Sequence, residues 1–263
     1  MAQRLPIVKL KPQTVVDWSS FLGASGPLLA QAYPQAQRVQ VELSPARLQA
    51  TREQQQRPWW TVQRWTGPQH HAALPVDLPP GAAQLVWANM ALHAAADPQP
   101  LLRQWHRALA QDGFLMFSTL GPGSLVALQR LFRQQGWGPA FAPMVDMHDL
   151  GDMLIESGFA DPVMDQEILT LTWAEPAALL AELRQLGGNA HPARHPGLRT
   201  PRWRHELLSA LHGLAERNGR IALEFEIVYG HAFKPLPRAK VAAQTLVPLE
   251  DLRAMARRPR RTS

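Results

Sequence analysis

Short runs of alternating or clustered apolar residues take turns with stretches in which apolar residues recur every three or four positions. Residues 14–18 (Thr-Val-Val-Asp-Trp) form a β-type run that stops at Ser19-Ser20. Residues 22–33 space Leu22, Leu28, Leu29 and Ala32 as a helix, with Pro27 in the first turn. Alternation at 38–43 predicts a second strand, and Ser44-Pro45 caps a helix reaching about residue 55. Residues 59–65 are a third strand candidate, and 84–89 a fourth after Pro79-Pro80-Gly81. Asp97-Pro98 opens a helix over 97–109, and an Asp112-Gly113 turn precedes a fifth strand at 114–119. Gly121-Pro122-Gly123-Ser124 starts another helix, with backbone donors suited to an anion. A helix led by Asp146 ends at Gly158, followed by a strand-like run at 168–173.

Strand and helix thus alternate about five times, which predicts a parallel sheet covered on both faces. The last third differs. Helices at 175–186 and 204–216 flank Gly187-Gly188-Asn189 and a His/Pro/Arg-rich loop, and 219–229 alternates strongly through Ile221, Leu223, Phe225 and Ile227. The two helices read as an insertion between the last two strands, a lid at 174–218. The rest divides into a core at 1–173, the final strand at 219–234 and a basic, flexible tail at 235–263. Ligands of such sheets bind beyond the carboxyl ends of the strands, where the strand order reverses.

Composition narrows the chemistry. The chain has 263 residues, 46% of them hydrophobic, enough for a sizeable core, and no apolar run long enough to span a bilayer. Residues 1–11 alternate basic and apolar positions without the continuous apolar stretch of a secretory leader. Zero cysteines exclude disulfides, thiolate catalysis and Cys-type metal sites, which is consistent with a cytoplasmic protein. The formal charge of +6 is carried mostly by arginine, with Arg253, Arg257, Arg258, Arg260 and Arg261 near the end. That tail is either a solvated end or an attractor for an acidic partner, and no aromatic residues interleave with it to suggest nucleic acid.

Position singles out several candidate residues. Asp17 lies at the end of the first strand and Gly23 in the loop after it. Glu42, followed by Leu43, ends the second strand, where a carboxylate can accept both hydroxyls of a ribose or simply be an exposed charge. His70 and His71 follow the third strand candidate; adjacent histidines rarely reach one ion, so no metal is expected. Asn89 ends the fourth strand and, with His93, falls at the mouth of the crevice, although His93 also suits a core position. Asp146, His148, Asp149 and Asp152 open a helix, where acids favour the positive end of the dipole. Tyr229, His231 and Lys234 follow the last alternating run, and the latter two could set positive charge near an anionic substrate or pack at the strand end.

Three stretches carry a family resemblance: Phe117-Ser118-Thr119-Leu120-Gly121-Pro122-Gly123-Ser124-Leu125, Val145 through Asp165 with its Asp-Met-His-Asp opening, and Ile227-Val228-Tyr229-Gly230-His231-Ala232-Phe233-Lys234. With Asn89-Met90-Ala91-Leu92-His93 they make the chain, from about Thr14 to Lys234, resemble the malonyl-acyl-carrier-protein O-methyltransferases of biotin synthesis. The resemblance implies a Rossmann-like class I methyltransferase fold, a mostly parallel seven-stranded sheet with helices on both faces and a helical insertion. It implies S-adenosyl-L-methionine as cofactor, held by Asp17, Gly23, Glu42, Leu43, His70 and Asn89, and a malonyl-loaded acyl carrier protein as partner, its malonyl end met by His93, His148, Tyr229 and His231. Positive groups would hold the malonyl carboxylate, with His93, His148, His231 and Arg220 as candidates, and the arginine-rich 191–204 region would meet the carrier.

The family pattern is not kept throughout. Its three loop glycines fall on Ser19, Phe21 and Gly23, its adenine-binding acid on His70, and a common acid on Gly123. Its members also carry a helical segment of several dozen residues before the first strand, which here begins near Thr14. Two functions therefore stand: carboxyl O-methyl transfer, which needs no catalytic dyad because a carboxylate is already a nucleophile at neutral pH, and a methyltransferase-like pseudoenzyme or binding protein without cofactor.

Overall fold

The computed structural model describes residues 1–55, 70–185 and 187–236. Seven strands form one sheet: β1 (Thr14–Trp18), β2 (Gln37–Val41), β3 (His70–Ala73), β4 (Ala83–Ala88), β5 (Leu109–Leu120), β6 (Ala160–Trp173) and β7 (Ile221–Phe233), in spatial order β3-β2-β1-β4-β5-β7-β6. Strands β1 to β5 pair in parallel, and β7 runs antiparallel between β5 and β6. The chain winds outward from β1 to β3 and then returns to β4 on the other side, so the crevice opens between β1 and β4.

Seven α-helices cover the sheet: α1 (Ser25–Ala32), α2 (Pro45–Gln55), α3 (Pro98–Ala108), α4 (Val126–Gln134), α5 (Met147–Glu156), α6 (Pro176–Gln185) and α7 (Pro201–His212) among the described residues. Alternation along the strands sorts the core onto two faces. Val16, Val86, Leu115, Phe117 and Val228 meet Leu102 and Trp105 of α3 and Leu150 and Leu154 of α5. Val15, Leu85, Trp87, Phe114 and Met116 meet Leu29 of α1 and Leu5 of a 3₁₀ turn at Ala2–Ile7. Trp105 is edge-on to Trp18 at 6.1 Å and tilted on Phe117 at 6.0 Å, tying α3 to β1 and β5.

A third cluster lies past the end of β5. There β6 and β7 continue as a two-stranded ribbon, and Trp173, Leu223, Phe225 and Ile227 pack on Leu128 and Leu131 of α4, Leu179 of α6 and Leu207 and Leu211 of α7. A ribbon of two strands is marginal in water, so the inserted helices are what lets it extend.

The expected α/β order is present, with four shifts. The strand candidate at 59–65 lies outside the described residues; the third strand of the sheet is His70–Ala73, so His70 opens a strand where a following loop was expected. The turn at Asp112 (φ 59°) sits inside β5, which begins at Leu109 and pairs with Ala83 before a register shift. β6 starts at Ala160, eight residues earlier than its apolar run, because β7 pairs with it at Ala160 and, past a register shift at 161–162, from Val163 onward. α7 starts at Pro201, where the Thr200 hydroxyl accepts from Trp203 N at 3.1 Å and proline suits the first turn. Among the described residues no helix is long and apolar enough to cross a membrane.

Gly230 shows how tightly β5, β6 and β7 are packed: a methyl group there would overlap the Phe117 ring and the Met164 sulfur. We expect Gly230→Ala to destabilise the fold by about 1–3 kcal/mol, read from the urea midpoint, and Phe117→Leu in that background to restore part of the loss.

Candidate active site

At the carboxyl end of β1 the chain turns sharply. Ser19 takes a left-handed conformation (φ 56°, ψ 48°), and its amide donates to Val41 O at 2.7 Å. A left-handed non-glycine residue costs about 1 kcal/mol, so the bonds that follow must hold it. The Ser20 hydroxyl donates to Glu42 Oε1 at 2.8 Å and the Phe21 amide to the same oxygen at 3.0 Å. Gln40 Nε2 in turn donates to Ser20 Oγ at 2.8 Å. Glu42 is 0% exposed, and its other oxygen, Oε2, has no partner among the described residues. A buried acceptor left unpaired costs about 1–3 kcal/mol. The site therefore suits a ligand that brings a hydroxyl donor to the end of β2.

Asp17, next to this loop, accepts from Ser25 Oγ at 2.6 Å. Burial pushes its carboxyl up to about 6, against the pull of the Ser25 hydrogen bond and Arg38 and with a further push from Glu42. Arg38 Nη1 donates to Gly26 O at 2.7 Å, and Nη2 lies 3.2 Å from His70 Nε2. That contact places His70 in register with Arg38 at the amino end of β3. The expected adenine contact at His70 is thus not where the fold puts it; the strand reaches its carboxyl end at Ala73, whose carbonyl accepts from Glu42 N at 2.9 Å. Leu43, the next residue, is half exposed.

Beyond β4, Asn89 Oδ1 accepts from Ser118 Oγ at 2.8 Å, which fixes the side chain at the mouth. Met90 is left-handed (φ 54°), its amide bonded to Ser118 O at 3.0 Å and Oγ at 3.1 Å. His93 is half-buried in a niche of about 20 Å³, room for a single water, lined by Leu92, Thr119, Met144, Val145 and Leu150. Its Nδ1 has no partner among the described residues, and burial lowers its pKa. His93 is therefore neutral near pH 7 and offers a hydrogen bond, where a positive charge was expected.

The other candidates separate. His148 projects into solvent from the first turn of α5, its Nδ1 2.9 Å from Asp146 Oδ1 and its amide donating to the same oxygen at 2.8 Å. These bonds hold Asp146 below the usual carboxylate range, as helix capping does. Tyr229 lies level with Ser118, its hydroxyl donating to Glu167 while the Arg4 guanidinium sits 4.4 Å from its ring centre and pairs with Asp165. Burial and Glu167 push the phenol up to about 12, so it remains a donor. His231 lies deeper, level with Met116, and burial with nearby Arg4 lowers its pKa. Lys234 departs furthest from expectation. Its Nζ donates to His106 O at 2.9 Å and Leu109 O at 2.7 Å, capping α3 at the opposite end of the sheet. There it lines a separate cavity of about 680 Å³ with His106, Phe159 and Leu236. Arg220 holds Thr172 at the far tip of the ribbon.

Glu226 was invisible in the alternation, which marks its position as a solvent face. It is buried because its carboxylate accepts from Gly123 N, and added methyl groups on Gly121 or Gly123 would overlap it. The anion expected at the Gly121–Ser124 turn is thus a side chain of β7. Ser20 and Arg4 were also missed; no pattern in the neighbouring residues announces them.

Residues 22–115 match the family model described as "Methyltransferase domain". A "Malonyl-[acyl-carrier protein] O-methyltransferase" of Gallionella capsiferriformans is 36% identical over 242 residues, 90% of this chain and 82% of that protein. The chain belongs to that family. Malonyl-acyl-carrier-protein O-methyltransferases are thus its relatives in sequence, and the fold agrees. The YcgJ protein of Bacillus subtilis superposes with a TM-score of 0.59 at 11% identity, covering 89% of this chain and 97% of that one. Phosphoethanolamine N-methyltransferase 2 of Haemonchus contortus, solved in complex with S-adenosyl-L-methionine, does so with a TM-score of 0.52 at 14% identity, covering 89% and 51%. Within this family member, Ser19 provides the left-handed turn at the first position where the pattern has glycine, and half-buried Phe21 occupies the second.

Asp17 makes the pH dependence of stability testable. Its folded pKa of about 6 exceeds the ordinary 3.8, so the folded state binds this proton more tightly and loses stability as pH rises from about 4 through 6. Two pKa units correspond to roughly 3 kcal/mol. We expect Asp17→Asn to raise the melting temperature at pH 8 and to match the parent protein near pH 4; an equal shift at both would contradict the assignment.

Proposed function

We propose that this chain transfers a methyl group from S-adenosyl-L-methionine to the free carboxylate of a malonyl thioester carried on acyl carrier protein, a step of biotin formation. The observation that carries the reading is the buried Glu42 Oε2 at the end of β2, without a partner among the described residues and beside the β1–β4 crevice. Family membership at 36% identity supports the substrate class.

Glu42 Oε2 would accept a ribose hydroxyl, and the Ser19–Gly23 turn, pinned through Oε1, would lie along the cofactor's amino-acid end. When bound, S-adenosyl-L-methionine supplies a methyl group activated on a sulfonium. The residues around the crevice have the work of alignment and of excluding water. Asn89, fixed by Ser118, and the Met90 turn border the reacting region. No general base is needed, since a malonyl carboxylate is ionised at neutral pH. Neutral His93, whose Nδ1 has no partner among the described residues, is suited to hydrogen-bond that carboxylate without forming an ion pair tight enough to blunt its attack, whereas the Tyr229 hydroxyl is already given to Glu167. Helices α6 and α7 would serve as the lid over the acyl end.

A second reading, a methyltransferase-like protein without cofactor, is favoured by Phe21 in a glycine position and by the loop already bonded to Glu42. Titration with S-adenosylhomocysteine separates the two. The methyl-transfer reading expects binding and the appearance of a methyl ester on malonyl-carrier protein by mass spectrometry; absence of both leaves the second. Glu42→Gln keeps an acceptor for Ser20 and Phe21 but removes the charge. It should weaken binding by at least about tenfold, or 1.4 kcal/mol, with little change in melting temperature. Unchanged affinity would reject the ribose assignment.

A further inference from the structure

We propose that the loop between α6 and α7 is the docking surface for the acidic carrier protein that presents the thioester. The inference rests on the proposed function for the partner's identity and on separate observations for the place. Between residues 187 and 205 the sequence has Arg194, Arg199, Arg202 and Arg204 and no acid. Arg194 and Arg204 are exposed, whereas Arg202 is paired with Glu206 at 2.9 Å. Next to Arg199, Leu198 is 98% exposed, an apolar side chain among the arginines of this stretch.

The loop has no regular secondary structure, yet it is fastened at both ends. Asn189 Nδ2 donates to Pro139 O at 2.8 Å, and Arg199 Nη2 donates to Trp137 O at 2.6 Å while its guanidinium stacks 4.6 Å from the Trp203 ring. Internal turns, His191 N to Asn189 Oδ1 and Ala193 N to His191 Nδ1, both at 2.9 Å, hold the span between. Both anchors grip the same short segment, which runs on through Pro143 and Met144 into the wall of the His93 niche. The loop is therefore tied to the segment that leads into the niche wall, and its exposed side chains are presented to a partner at little ordering cost. A small acidic helical protein fits this pattern: long-range charge attraction, one apolar contact at the centre, and an acyl chain that must enter nearby. Nucleic acid fits it less well, because Phe132, Trp137 and Trp203 pack edge-on against one another, leaving no aromatic platform there.

Binding of apo-carrier protein, which needs no methyl transfer, tests the surface by fluorescence anisotropy. Arg194→Glu with Arg204→Glu, and separately Leu198→Ser, should weaken it about tenfold, and added salt should weaken binding to the unmutated chain. On malonyl-carrier protein these variants should raise KM about as much while kcat, and turnover of malonyl-pantetheine, stay unchanged. Unaltered carrier binding would overturn the proposal, as would a parallel loss on malonyl-pantetheine or tighter binding of duplex DNA than of the carrier. If the unmutated chain methylates neither thioester but binds the carrier through these residues, the methyl-transfer reading falls and the docking surface stands.

Discussion

The carboxylate of Glu42 is the constraint around which the mouth of the sheet is arranged. It is completely buried at the end of β2, and a buried carboxylate must be met by donors. One oxygen collects the Ser20 hydroxyl and the Phe21 amide, and those two bonds, with Ser19 N on Val41 O, fold the β1–α1 connection back over β2. The connection thereby carries a left-handed serine where the family pattern has glycine, and a phenylalanine two residues on. The price of that strain is met by hydrogen bonds converging on a single oxygen, which leaves the second one for a ligand. The same acid thus shapes the loop and defines what the loop can accept.

Alternation and spacing made the architecture legible because local pattern and tertiary burial agree for most strands and helices. Where they parted, a non-local partner decided. β6 has exposed, mixed residues from Ala160 onward and reads as a strand only from Ile168, yet β7 pairs with it from Val163 to Trp173 and again at Ala160. The opening of β3 at His70 follows from its pairing with Arg38, a contact across about thirty residues that no window of neighbours contains. Two helix starts were clearer, since Asp97 and Asp146 each cap through their own side chains, whereas the Thr200 cap lies ahead of the expected start at 204.

The site was legible by position more than by chemistry. Asp17, Glu42 and Asn89 fall at strand ends, and strand ends are what periodicity predicts. Charge state was not legible: His93 and His231 looked like cations until burial was known, and their lowered pKa values turn them into neutral hydrogen-bonding groups. Lys234 looked like a substrate contact by following Tyr229 and His231, but β7 runs against its neighbour, so each step along it leads away from the mouth. Glu226 was hidden for the opposite reason. It sits on the face that the alternation marks as solvent, and the Gly121–Gly123 turn folds over it.

These placements give the inserted helices a structural reason that is independent of any role as a lid. Because β5 stops at Leu120 while β6 and β7 run on, the ribbon would expose Trp173, Leu223 and Phe225 without α6 and α7. Those three residues are large and apolar, and their burial is worth several kcal/mol at about 25 cal/mol per Å². The insertion is therefore held by its own core, and that core extends to Met90 and Tyr229 at the mouth. Movement of α6 and α7 as a rigid pair would disturb the same side chains that border Asn89.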